Sequence, residues 1–157
     1  MDMIPGRVTR LVLNPVKVGL FRGVCAEYCG SSHALMRFSV MVQEKEDFMR
    51  WLAEQSTPAQ PPSTPLATRG QELFLSSGCG ACHAVRGTAA DGVLAPDLTH
   101  VGSRLTLAAD TLPNEASAFR RWVAATDELK PGALMPRFHM LPPGDLDALA
   151  AYLEGLQ

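Results

Sequence analysis

The four cysteines of this 157-residue chain fall in two tight pairs, Cys25 with Cys29 and Cys79 with Cys82, and each pair has a histidine close downstream. Such spacing points to ligation of a metal or cofactor rather than to a scattered disulfide framework. In Cys79-Gly80-Ala81-Cys82-His83 the two thiols can form thioethers to a porphyrin while the adjoining imidazole reaches the iron, the pattern of covalent haem c attachment. A redox Cys-x-x-Cys or half of a zinc site would use the same cysteines. Neither needs the adjoining histidine, and no second Cys-x-x-Cys completes a four-cysteine zinc site. A low-spin haem requires a sixth ligand, and Met135 in Lys130-Pro-Gly-Ala-Leu-Met-Pro136 is the candidate, because thioether ligation raises the potential and suits outer-sphere electron transfer. Met140, His139 and His100 compete for that role; core filling is the ordinary alternative for the methionine and a structural role for the histidines. Arg104 is a candidate partner for a haem propionate.

The other pair lies in Cys25-Ala-Glu-Tyr-Cys29-Gly-Ser-Ser-His33-Ala-Leu-Met36. Two thiolates, an imidazole and a thioether within one short loop form a soft, copper-favouring ligand set. A Cys25–Cys29 disulfide or a zinc site is the alternative, and neither gives Met36 a role.

The elements that must position these residues divide at Gln55–Pro65, a proline-rich and uncharged stretch that reads as a semi-rigid linker. Domain boundaries of 1–54, 55–67 for the linker and 68–157 follow. In the first part, Arg7–Leu13, Gly19–Val24 and Arg37–Val42 read as strands of a small β meander, with a turn at Asn14-Pro15. Glu44–Glu54 places Phe48, Trp51 and Leu52 at helical spacing. Three strands and one helix bury too little apolar surface to stand alone comfortably, which implies strands missing upstream. In the second part, Thr68-Arg-Gly-Gln71 has capping-box spacing and opens a helix that stops near Gly78. Asn114 caps a second helix with Phe119, Trp122 and Val123 on its apolar face, closed off by Pro131. After Pro142-Pro143-Gly144 a third helix carries Leu146, Leu149, Ala150, Leu153 and Leu156. Long Gly/Pro-containing loops between three helices suit a domain with a non-protein group at its centre.

Fourteen basic residues against sixteen acidic ones give a formal charge of -2, so no basic field exists to hold nucleic acid. No window reaches the roughly 18 apolar residues of a spanning helix, and residues 1–7 lack a signal-peptide pattern. As written, the sequence is expected to be soluble and to carry no address.

Residues 68–157 resemble a class I cytochrome c for most of their length. The resemblance implies that Gly70 and Phe74 of the first helix pack against Leu149 and Tyr152 of the last, and that the Pro96 carbonyl accepts a hydrogen bond from His83. The stretch Cys-x-Glu-x-Cys-Gly-x-x-His-x-x-Met, with Asp2-Met-Ile-Pro-Gly-Arg7 upstream, resembles the dinuclear Cu(A) loop of cytochrome c oxidase subunit II. In that family Cys25 and Cys29 would bridge both coppers, His33 and Met36 would bind one each, and Glu27 would ligate through its backbone carbonyl, its carboxylate facing a magnesium site shared with subunit I. Nitrous oxide reductase has a similar loop, with an aromatic where Glu27 stands. A copper loop followed by a tethered haem domain is similar to the caa-type oxidases.

The expected fold is therefore α+β multidomain: a partial β cupredoxin-like, Greek-key part followed by an all-α cytochrome c. The family places a second copper histidine upstream of the cysteine loop, and residues 1–24 contain none. Its two N-terminal transmembrane helices and the earlier part of the cupredoxin sandwich also have no counterpart in the sequence. A C-terminal fragment, or a missing half carried on another polypeptide, is expected. The expected function is electron entry into a terminal respiratory oxidase: a cytochrome c or similar donor reduces the haem, the electron passes to Cu(A), and subunit I receives it, with oxygen reduced elsewhere. That places the chain at the periplasmic face of the bacterial inner membrane, associated through the missing helices. Competing expectations are a free-standing soluble monohaem carrier with a non-functional copper half, and a structural zinc protein using Cys25, Cys29 and His33.

Overall fold

The structure, a computed structural model, describes residues 1–4 and 6–157; Pro5, inside the Asp2–Arg7 stretch, lies outside the described residues. Strands β1 (Gly19–Val24) and β2 (Arg37–Val42) form an antiparallel pair in which Gly19 faces Val42 and Val24 faces Arg37. Helix α1 (Lys45–Gln55) follows. Arg7–Leu13, expected as a strand, has no strand assignment, and Val8, Leu11, Val12 and Leu13 all stand exposed. No strand among the described residues pairs with them, and a strand without a neighbour has nothing to satisfy its backbone groups. Among the described residues before Ala67, none is buried, as the small apolar content of this part anticipates.

The core belongs to the second part. Helices α2 (Pro65–Ser76) and α5 (Pro143–Glu154) cross, with α3 (Ala116–Ala124) against α5 and the short α4 (Thr126–Leu129) behind it. A two-stranded hairpin, β3 (Thr106–Leu107) with β4 (Leu112–Pro113), makes this part not wholly helical. Helix α2 begins three residues before the Thr68 expected to cap it. Thr64 is the cap, its hydroxyl accepting the Ala67 amide at 3.1 Å, and Pro65 occupies the first turn, where its missing N–H costs nothing and its φ is preset for a helix. Asn114 does not cap α3. Its amide nitrogen donates to the Val101, Gly102 and Arg104 carbonyls, and Glu115 precedes the helix without a side-chain cap. That helix ends at Ala124, well before Pro131.

The α2–α5 crossing is built on Gly70. A Cβ there would lie 2.0 Å from the Ala148 carbonyl oxygen and 2.7 Å from the Tyr152 Cβ, so only glycine lets the two backbones meet. One turn on, Phe74 sets its edge against Tyr152 with ring centroids 5.6 Å apart, and an Arg69–Asp145 ion pair flanks the crossing. Leu146, Leu149, Ala150, Leu153 and Leu156 are all buried as their spacing requires. The segment after α1 lies along the second part rather than hanging free: the Ala59 amide donates to the Arg86 carbonyl at 2.9 Å, and Arg86 returns a guanidinium bond to the Gln55 carbonyl at 2.6 Å.

Gly70→Ala is expected to destabilise the protein by about 2 kcal/mol or more, the cost of overpacking a backbone crossing. Gly144→Ala, in α5 but with nothing within 4 Å of the added methyl, stays within about 0.5 kcal/mol of the parent. Thermal unfolding of the two variants checks the contrast, and equal losses would contradict it.

Candidate functional site

Helix α2 ends at Ser76, Gly78 turns the chain at a φ of 81°, and Cys79–Ala81 form a 3₁₀ turn that carries the first thiol to the cavity wall. The Gly92 amide donates to the Gly80 carbonyl at 3.1 Å and the Ala95 amide to the Cys82 carbonyl at 2.9 Å. These bonds bring the 92–96 loop over the motif. His83 Nδ1 then lies 2.7 Å from the Pro96 carbonyl, which accepts from it and leaves Nε2 with its lone pair free for a metal. Asp97, next in the chain, is locked by the Thr99 amide at 2.8 Å. Burial opposes its ionisation, but the bonds from Thr99 and the Arg86 charge outweigh that and hold its carboxyl below the ordinary range.

Cys79, Cys82 and His83 open onto a cavity of about 1450 Å3, walled on other sides by Phe74, Phe119, Trp122, Leu149 and Leu153. Met135 lines it too and is half-buried against the core. Met140 is 66% exposed and outside the cavity lining. His139 is also exposed. His100 is buried but committed elsewhere, its Nε2 3.1 Å from the Thr57 carbonyl. Arg104 borders the cavity and donates to the Asp97 carbonyl at 2.6 Å; burial lowers its proton affinity while Asp97 opposes that shift. Burial raises the Cys79 thiol above its ordinary value. An apolar chamber with two thiols on one wall, a free imidazole nitrogen beside them and a thioether also at its lining fits a covalently attached haem.

The first cysteine pair sits in the connection between β1 and β2. Antiparallel pairing extends past Val24–Arg37 to one more bond, the Cys25 amide to the Met36 carbonyl at 3.0 Å, so both ends of the ligand loop are fixed by the hairpin. Inside it, His33–Leu35 form a 3₁₀ turn. Cys25 Sγ, Cys29 Sγ and a His33 ring nitrogen come within 4.8 Å of one another. Cys29 Sγ is 3.6 Å from His33 Nδ1, and Cys25 Sγ is 3.1 Å from the Glu27 carbonyl oxygen. The hydrogen bond with the Cys25 thiol, foremost, raises the Cys29 thiol above its ordinary value. Two sulfurs and an imidazole brought this close on one loop are soft donors that suit copper. No disulfide joins Cys25 to Cys29.

Comparison with known proteins decides the family. The model for cytochrome c matches residues 67–157, more than half the chain. The chain belongs to the cytochrome c family. Ahead of the cytochrome c domain, residues 1–43 match the model described as cytochrome c oxidase subunit II, periplasmic domain. "Cytochrome c oxidase subunit 2" of Alkalihalophilus pseudofirmus is 34% identical over 157 residues, all of this chain and 45% of the relative. The protein of that name from Bacillus subtilis is 34% identical over 142 residues, covering 88% of this chain and 40% of the relative. An "Alternative cytochrome c oxidase subunit 2" of Bradyrhizobium diazoefficiens is 44% identical over 57 residues, 36% of this chain. The chain thus spans less than half the length of these relatives. The cytochrome c domain implies haem, the subunit II domain implies copper, and a periplasmic domain is extracytoplasmic. No helix among the described residues is long and apolar enough to cross a membrane.

The segment after α1 was legible only as a linker. Its attachment through Thr57 to His100 depends on a long-range fold that brings residues 43 apart into contact. His100→Ala is expected to cost about 1–3 kcal/mol, the loss of a buried bond, and to expose the 56–60 segment to protease while leaving the iron spectrum unchanged. A changed iron spectrum would make His100 a ligand.

Proposed function

We propose that this chain is the electron-entry part of a cytochrome c oxidase: a haem c domain at 68–157, joined by the 55–67 segment to a Cu(A)-binding part at 1–54 that completes a Greek-key cupredoxin sandwich with strands from elsewhere. The observation that carries the reading is the presence, in one chain, of a cavity with a free His83 imidazole nitrogen and of a preformed Cys25/Cys29/His33 cluster. When bound, haem iron and a copper pair each accept and release one electron without breaking bonds. The chain's residues supply the rest. Cys79 and Cys82 would anchor the porphyrin, and His83, its ring oriented by the Pro96 carbonyl, and Met135 would hold the iron. Arg104 faces a propionate. Cys25, Cys29, His33 and Met36 would hold the copper, with the Glu27 carbonyl, already 3.1 Å from Cys25 Sγ, as a further ligand. The exposed Glu27 carboxylate is left for a magnesium ion at the subunit I surface.

Apolar walls keep water from the haem edge, and no general acid, nucleophile or substrate pocket is required of the protein beyond geometry and tuning of potential. The partners would be a cytochrome c or similar donor on the haem side and subunit I on the copper side, in a complex at the periplasmic face of the bacterial inner membrane, anchored by helices outside this sequence. The exposed Val8, Leu11, Val12 and Leu13 are the surface that the remaining sandwich strands would cover.

Met135→Ala is expected to convert the haem to a high-spin or foreign-ligand spectrum and to lower its potential, while Met140→Ala leaves both in place. Equal effects from the two would undo the ligand assignment. Cys25→Ser or Cys29→Ser, in the chain joined to a histidine-bearing upstream segment of a subunit II domain, should abolish dinuclear copper binding; retention of a mixed-valence signal by either variant would overturn the copper assignment.

A further inference from the structure

The two ligand loops touch. Ser32, immediately before His33, donates its hydroxyl to the Pro131 carbonyl at 2.5 Å, and Pro131 opens the loop that holds Met135. A Cβ built on Gly132, at a φ of 83°, would lie 3.6 Å from the Ser31 Cβ. Two further bonds fasten the same copper loop to the cytochrome c domain: the Arg37 amide donates to the Ala109 carbonyl at 3.2 Å, and the Thr111 hydroxyl donates to the Leu35 carbonyl at 3.2 Å.

The surface that receives them is built at a cost. Ala108, Ala109 and Asp110 take φ values of 53°, 60° and 62°, a run of left-handed residues with no glycine among them. Such a run persists only where its surroundings demand it. Here the demand is visible, because the turn aims the Ala108 carbonyl at the Lys130 ammonium, 3.0 Å away, and the Ala109 carbonyl at Arg37. Lys130 also directly precedes Pro131. One strained turn and one loop, tied together by Lys130, thus form a seat that meets Ser32, Leu35 and Arg37.

We propose that this seat docks the copper-ligand loop on the Met135 loop as one rigid unit, and that Ser32 is the positioning residue fixing the separation of the two ligand sets. A bonded route between them runs from His33 through Ser32, across its hydroxyl to the Pro131 carbonyl, and along the chain to Met135. The proposal rests on the electron-entry reading for its purpose but not for its test.

The test uses the haem-loaded full chain without copper, so that docking is read independently of copper chemistry. Outside the β1–β2 pairing, the Arg37 amide reaches across to Ala109, and its hydrogen exchange therefore reports the docked state. Ser32→Ala is expected to speed exchange at Arg37 by about fivefold to tenfold, the effect of one ordinary hydrogen bond. It should also shift the Met135 methyl resonance and leave the thermal midpoint of the cytochrome c domain unchanged. Ser32→Thr, which keeps the hydroxyl, restores both signals. Thr111→Val should speed Arg37 exchange without moving the Met135 resonance. An Arg37 amide that exchanges at the unprotected rate in the parent, or one indifferent to Ser32→Ala, would overturn the proposal. If docking is observed and copper never binds, the electron-entry reading fails and the docking stands.

Discussion

Where Gly70 meets the Ala148 carbonyl, two helix backbones come close enough that the chain leaving α2 is aimed into the space beside α5. Everything in the haem domain inherits that placement. The Cys79–Ala81 turn begins three residues after α2 ends, so the thiols and His83 reach the cavity wall at a position set by the end of that helix and by the bonds from the 92–96 loop. Leu149 and Leu153 of α5 line the same cavity, and Phe74 braces the crossing through Tyr152. Around that crossing α3, α4, a two-stranded hairpin and long loops enclose a cavity that continues onto the first part of the chain, past Met36, Phe38 and Trp51, about 1450 Å3 in all. An apolar space of that size would be a large liability in a protein meant to stay empty, since interiors are otherwise close-packed. A flat, mostly apolar macrocycle answers that liability.

The copper-ligand part obeys a different constraint. It has no buried residue among those described, so its local order comes from backbone pairing instead of a core. The β1–β2 ladder, extended by the Cys25–Met36 bond, closes the ligand loop at its base, and the seat on the cytochrome c domain holds it from outside. A hairpin alone is marginal in water. Its ligand geometry is therefore preformed only because two supports act on it, one from its own strands and one from the neighbouring domain.

Much of this was legible in the sequence, and what was not has a physical explanation. A turn at Asn14-Pro15 and the alternation of Phe38, Val40 and Val42 located β1 and β2 to the residue, and period-3.6 patterning found α5, whose apolar face lies buried against its neighbours. The strand expected at Arg7–Leu13 is absent, since an apolar run without a pairing strand is not structure. Thr68 carried the capping-box spacing, yet Thr64 with Pro65 carries both a cap and a preset first turn, and that combination prevailed. Asn114 has cap chemistry, but three carbonyls of the 101–104 turn claim its amide. The haem motif needed no structure to be seen because its chemistry is contiguous. The left-handed turn at Ala108–Asp110 carried little signal, as no glycine marks it and Asp110 alone is a residue that tolerates the conformation; the bonds it makes to Lys130 within the domain and to Arg37 across the boundary account for it.

The most direct test of the electron-entry account is the copper-to-iron ratio, with an electron paramagnetic resonance spectrum, of the haem-loaded chain alone and of the same chain joined to a histidine-bearing upstream segment of a subunit II domain. The account predicts one iron in both, and two coppers with a mixed-valence signal in the joined chain alone. One iron with no stoichiometric copper in either would contradict it and leave a cytochrome c domain carrying a copper loop that no longer binds its metal.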